Sequence, residues 1–251
     1  MKKLINVTLA ICLFLLLLLG LKELLLFLNT EKDYMILKDQ VVTNQVDNKE
    51  EIDVSDPFHR YIDFEVLNKI NEEIAGWIYI PGTKVDYPVL IGDTQQEYLK
   101  KDFENKTNDL GSIFAFQDVE LNQDFHVCLY GHNMISGQMF GGLKLYREEK
   151  YAKSHEKAYL YTKERTKELE ILSVFLCENT DEIFEIGEKT WEYSKAEDIV
   201  KNLKKRSFIN FEITENKTEQ IITLVTCYGK AGGTKRLVLN FGLIREKFII
   251  E

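Results

Sequence analysis

The 251-residue chain has little of what most often announces chemistry. Its four cysteines and four histidines show no CxxC and no HxxxH spacing, so a zinc-type site is not expected. Gly141-Gly142 and Gly232-Gly233 lack the pattern that makes a phosphate-cradling loop, and no internal repeat or low-complexity tract occurs. Carboxylates are plentiful, but no pair stands at catalytic spacing. No cofactor is implied.

Positive charge is also scarce: 32 Lys and Arg against 41 Asp and Glu give a net charge of −9. Residues 1–30 carry three lysines and one glutamate, which leaves −11 on the remainder. An acidic surface of that kind repels phosphate backbones, and nucleic acid is excluded as a partner. The same charge keeps a domain soluble, and no substrate class follows from it.

Long hydrophobic runs are absent except at the start. After Lys2 and Lys3, Leu4 to Leu21 are almost wholly apolar, broken only by Asn6, Thr8 and Gly20. About 18 such residues approach the length that spans a bilayer. Lys22 and Glu23 precede a second apolar patch, Leu24–Leu28, with the charges able to snorkel. A cleaved signal peptide would have a shorter apolar region and a small-x-small site, and no such site follows. Residues 1–30 therefore read as an uncleaved single-pass anchor. With Lys2 and Lys3 on the cytoplasmic side, everything after about residue 30 is expected outside the cell. Residues 31–57 are polar and read as a stalk closed by Pro57, and residues 58–251 as the folded domain.

Cys12 falls in the anchor, leaving Cys128, Cys177 and Cys227 in an oxidising compartment. Three cannot all pair, so at least one thiol is free or bonded to another molecule.

Within the domain, Phe64, Leu67, Ile70 and Ile74 recur at helical spacing before Gly76, which predicts a packed helix. Eight short apolar runs bounded by turn residues follow: Trp77–Ile80, Val85–Ile91, Ser112–Phe116, His126–Tyr130, Ala158–Thr162, Glu168–Cys177, Gln220–Thr226 and Arg236–Ile244. That count, with few helices between, predicts a mostly β protein closed or nearly closed into a barrel. One late helix is signalled by the capping box Ser194–Glu197 and the stripe Ile199, Val200, Leu203. Lys204, Lys205 and Arg206 suit the dipole of its last turn.

Cys227 ends an apolar run and faces a Gly-rich loop, where a substrate can reach a thiol. Cys177 and Cys128 lie within strands and read as inert. His132 stands just past another strand, in Tyr130-Gly131-His132-Asn133-Met134; a thiol needs such a neighbour to become a thiolate. His59, His126 and His155 carry no comparable context. Arg236 opens a strand about nine residues after Cys227, close enough for adjacent hairpin strands, and its forked cation can stabilise an oxyanion.

Tyr130-Gly131-His132, Thr223-Leu224-Val225-Thr226-Cys227 and Arg236 resemble, in order, the three signature segments of the sortases. The resemblance covers about residues 62–248 and is closest to class B, through Gly76-Trp77-Ile78, Val85–Val89, Glu97-Tyr98-Leu99, Gly111–Phe114 and Met139-Phe140. It implies an eight-stranded sortase barrel and an acyl transfer from a protein's C-terminal sorting signal to an amine. Cys227 would attack the Thr carbonyl, His132 would manage the proton, and Arg236 would hold the oxyanion. The partners implied are surface proteins bearing the signal, and a peptidoglycan precursor or pilin amine as acceptor. Gln95, Tyr130, Thr226 and Tyr228 are the substrate contacts suggested by position. Gln95 and Gln96 stand where class B enzymes often have Asn, and Tyr228 where some relatives are acidic. Rival readings are a hydrolytic cysteine protease using the same residues and an anchored binding module without activity.

Overall fold

The computed structural model describes residues 2–44, 56–92, 94, 97–185, 196–212, 218–230 and 232–249. The chain divides into two compact units, Met1–Val42 and Thr43–Glu251.

The first unit is one continuous helix, α1 (Lys2–Val41, 40 residues), running through the apolar segment and on past residue 30. Among the described residues no helix is long and apolar enough to cross a membrane; several side chains of the apolar run, Leu4, Ile5 and Val7 among them, lie outside that set. Residues 45–55 of the stalk also lie outside it.

In the second unit the predicted helix is present but shorter: α2 covers Phe64–Ile70, with the Asp63 carboxylate accepting from the Val66 amide at its start. Its end is set by Asn71, whose side chain accepts from the Glu73 amide and donates to Tyr98 Oη (2.9 Å) and the Phe103 carbonyl (3.1 Å). These bonds pull the backbone out of the helix, so Ile74 opens a strand instead of closing a helical turn. Periodicity alone could not register that competition.

All eight predicted strands form: β1 (Ile74–Tyr79), β2 (Asp86–Ile91), β3 (Ile113–Ala115), β4 (His126–Tyr130), β5 (Lys157–Tyr161), β6 (Arg165–Glu178), β7 (Ile221–Cys227) and β8 (Lys235–Phe248). They close into one barrel in the order β1-β2-β3-β4-β7-β8-β6-β5, so each of these eight strands has a neighbour on both sides. Most pairs are antiparallel. The exceptions are β2 with β3 and β4 with β7, which run parallel.

Between β5 and the preceding loop lies the short helix α3 (Glu149–Ser154). The late helix is α4 (Ala196–Arg206); Ser194, the proposed cap, lies outside the described residues. The stripe Ile199, Val200, Leu203 packs on Leu172, Phe175, Val225 and Val238, sealing the outer wall formed by β6, β8 and β7. Arg206 does more than complement a dipole. Its guanidinium pairs with both oxygens of Asp181 (2.9 and 2.6 Å) and lies over the Phe175 ring, holding the Asp181 carboxyl below its usual range.

Beneath α4 runs a buried polar row across four strands. Asn240 Nδ2 donates to Ser173 Oγ (2.9 Å), and Thr223 Oγ1 donates to Asn240 Oδ1 (2.6 Å). The Thr223 hydroxyl has then spent its one proton, so His126 Nε2, 2.7 Å away, donates to it. Burial pushes the His126 imidazole down to about 4, so the ring is neutral and acts as part of the wall.

Candidate active site

Strand polarity brings the three sequence-marked residues to one end of the barrel. β4 and β7 run parallel, with Tyr130 opposite Val225, so both end on the same side. β8 runs antiparallel to β7 and begins there, with Arg236 directly opposite Cys227. Directly opposed residues of an antiparallel pair put their Cβ atoms about 5 Å apart on one face. By alternation that face is the one carrying Val225 and Val238 under α4, and Cys227 lies at its open end, exposed.

Arg236 has a second cysteine across it, Cys177 on β6. The two thiols share this cation and differ in solvation. Cys177 is buried, and its thiol is pushed up to about 12 despite the favourable pull of Arg206 and Arg236. Burial likewise pushes Cys128 up to about 12. Of the three thiols in this unit, Cys227 alone is both exposed and beside a cation.

His132 lies beyond the last rung of the β4–β7 ladder, on a segment stitched to β7 by its neighbours. The Gly131 amide donates to the Val225 carbonyl (3.1 Å), and Thr226 Oγ1 donates to the Gly131 carbonyl (2.8 Å). Gly131 permits the close approach: a Cβ there would stand 2.5 Å from Ile113 Cδ1 and 2.8 Å from the Phe140 ring. His132 Nε2 lies 2.8 Å from the Leu99 carbonyl. A carbonyl can only accept, so Nε2 carries a proton and Nδ1 is the nitrogen left to take up or give one.

The other histidines are engaged elsewhere. His59 Nδ1 faces Asp56 at 3.6 Å, and His155 stacks on Tyr151 with its Nδ1 against the Tyr151 carbonyl. In this structure Arg236 Nη1 donates to the carbonyls of Gly233 (2.8 Å) and Lys235 (3.0 Å), within the loop that joins it to Cys227.

The suggested substrate contacts fare differently. Tyr130 is half-buried, its ring stacked on Phe116 (4.5 Å between centroids) and Phe114 (5.7 Å), and burial pushes its phenol above the usual range. Thr226 is buried, its hydroxyl committed to Gly131. Tyr228 follows Cys227, and Arg147 both donates to its hydroxyl and lies over its ring. Gln95 lies outside the described residues. Sequence reasoning passed over Leu99 and Asn133. A backbone carbonyl has no signature, but Asn133 adjoins His132 in the segment already singled out.

An exposed thiol beside a guanidinium, with an imidazole on the neighbouring strand end, is the equipment for acyl transfer through a thioester. The sortase domain profile matches residues 78–241.

The chain belongs to the sortase family.

Sortase B of Staphylococcus aureus is 32% identical over 187 residues, covering 72% of this chain and 75% of that protein. The solved sortase B of Clostridium perfringens superposes with a TM-score of 0.66 at 28% identity, covering 72% of this chain and all of that one. A structure described as the S. aureus sortase B–substrate complex gives a TM-score of 0.65 at 32% identity, covering 72% and 84% of the two chains. This sortase is a cysteine transpeptidase of the class B type.

Proposed function

We propose that this sortase cleaves a C-terminal sorting signal after Thr with Cys227 and passes the acyl group to an amine of a cell-wall precursor or pilin. The observation that carries the reading is the register that sets Arg236 opposite the exposed, strand-terminal Cys227, while Gly131 and Thr226 bind the His132 segment to the same strand.

The Cys227 thiolate adds to the Thr carbonyl carbon, forming the C–S bond. Arg236 turns from its loop carbonyls to the developing oxyanion. As the C–N bond breaks, imidazolium His132 gives its Nδ1 proton to the leaving amine. The acceptor amine then adds to the thioester and loses a proton to Nδ1, and the thiolate departs. One amide is exchanged for another, with no redox change.

The barrel works outside the cell, tethered by Leu4–Leu21 with Lys2 and Lys3 on the cytoplasmic side. Exposed leucines along α1, Leu13, Leu16 and Leu17 among them at 62–65% exposure, support a lipid-facing segment.

The test combines the full-length chain, a sorting peptide and triglycine. The expected product is the shortened peptide joined to triglycine, lost with Cys227→Ala together with thiol labelling mapped to residue 227. Hydrolysis without adduct would sink the transfer to amines, and cleavage surviving Cys227→Ala would sink the nucleophile assignment.

A further inference from the structure

Beyond the β4–β7 ladder, three hydrogen bonds join the segment carrying His132 to the strand carrying Cys227. Two of them, from Gly131 to Val225 and from Thr226 to Gly131, act before the nucleophile position. The third reaches it: Asn133 Nδ2 donates to the carbonyl oxygen of Cys227 at 2.8 Å. On the other side of the same peptide unit, the Tyr228 amide donates to the Lys235 carbonyl at 2.9 Å. The peptide that follows Cys227 is thus gripped from both flanks, by the His132 loop and by the strand that bears Arg236.

Asn133 is itself held firmly enough to grip. Its backbone bridges to Met139, and the His132 carbonyl accepts from the Phe140 amide (3.1 Å). Met139 takes a left-handed backbone (φ 49°), and a Cβ on Gly141 would collide with the Met134 carbonyl at 2.0 Å, so the loop closes tightly on itself.

The bond matters little for burial. Cys227 is exposed, and water can take the place of the amide on its carbonyl, so folding loses little. What is lost is the fixed relation between two side chains whose reaction depends on their separation.

We propose that Asn133 is a positioning residue: it fixes the Cys227 backbone relative to His132, so that thiolate and imidazolium form as a pair at the distance the acyl transfer requires. The inference rests on Cys227 and His132 having the roles proposed above.

The experiment uses full-length Asn133→Ala and Asn133→Asp. The second is nearly isosteric but sets a carboxylate oxygen against a carbonyl that needs a donor. Three readouts are taken: transpeptidation kinetics, the pH dependence of alkylation at residue 227, and thermal unfolding. The expectation is a fall in kcat of about 10- to 100-fold with KM within about twofold, since the residue acts through another and not on the peptide. The alkylation profile moves towards that of an unassisted thiol, and the unfolding temperature stays within a few degrees. Turnover within twofold of the parent in both variants overturns the proposal. So does a loss of turnover that comes with a large drop in unfolding temperature and an unmoved alkylation profile, which marks a structural residue. Cys227→Ala run alongside separates the two levels: if it abolishes turnover and the Asn133 variants do not, the positioning role alone falls; if it leaves turnover intact, the underlying assignment falls.

Discussion

The neutral His126 under α4 makes the barrel wall sensitive to acid, and the size of the effect follows from its burial. In the unfolded chain the imidazole titrates near 6.5, and in the folded protein at about 4. Between those values the unfolded state binds the extra proton, so stability is complete above the upper value and is lost as pH falls towards the lower one. At pH 5 the loss is about 2 kcal/mol, and it approaches about 3 kcal/mol near pH 4, where it levels off. Against a total of about 5–15 kcal/mol for a domain, that is readily measured. The row His126–Thr223–Asn240–Ser173 ties together β4, β7, β8 and β6, and the first three of these carry His132, Cys227 and Arg236 at or just beyond their ends. The assay is urea unfolding at pH 7.5 and pH 5, followed by the fluorescence of fully buried Trp77. His126→Gln keeps an amide donor for Thr223 and removes the titration. The parent protein should lose about 2 kcal/mol more than the variant over that interval. Equal losses in both would show that His126 does not carry the linkage and that the burial argument is wrong.

Two further substitutions probe the site itself. Arg236→Lys keeps the charge beside Cys227 but loses the fork, and kcat for transpeptidation should fall by about 100-fold or more; near-normal turnover would reduce Arg236 to a strand-start cation. Gly131→Ala drives a methyl group into Ile113 and Phe140, both fully buried. Urea unfolding should register overpacking of about 1–3 kcal/mol, with turnover falling through displacement of His132; unchanged stability would mean that the loop has slack.

The strands were legible because each is an apolar run ended by turn residues, and their boundaries came within a few residues. The α4 stripe was legible for the same reason. What local pattern could not convey was competition from distant groups: Asn71 ends α2 by reaching Tyr98 and Phe103, more than twenty residues ahead. Nor could it convey that β4 pairs with β7, a parallel contact between strands far apart in sequence. The proximity of Cys227 and Arg236 was legible from their short separation. His132 was singled out by its place just past a strand and a thiol's need of a neighbouring base, but the parallel pairing that delivers it leaves no local trace. For Tyr130 and Thr226, suggested as substrate contacts, the sequence held no sign of the aromatic stack that takes one ring or the main-chain carbonyl that takes the other's hydroxyl.

The parallel pairing of β4 with β7 governs the order in which the molecule can become active. A parallel neighbour cannot be reached by a hairpin, so β5, β6 and α4 are all threaded before β7 slots beside β4, and the bond from Asn133 to Cys227 spans 94 positions of sequence. Until β8 follows, β7 and β6 both present raw edges and Arg236 is missing from the thiol's side. A chain emerging from its N-terminus therefore displays the His132 imidazole long before the Cys227 thiol is present. Arg236 comes later still, so the proposed site is complete only once β8 has paired with β7.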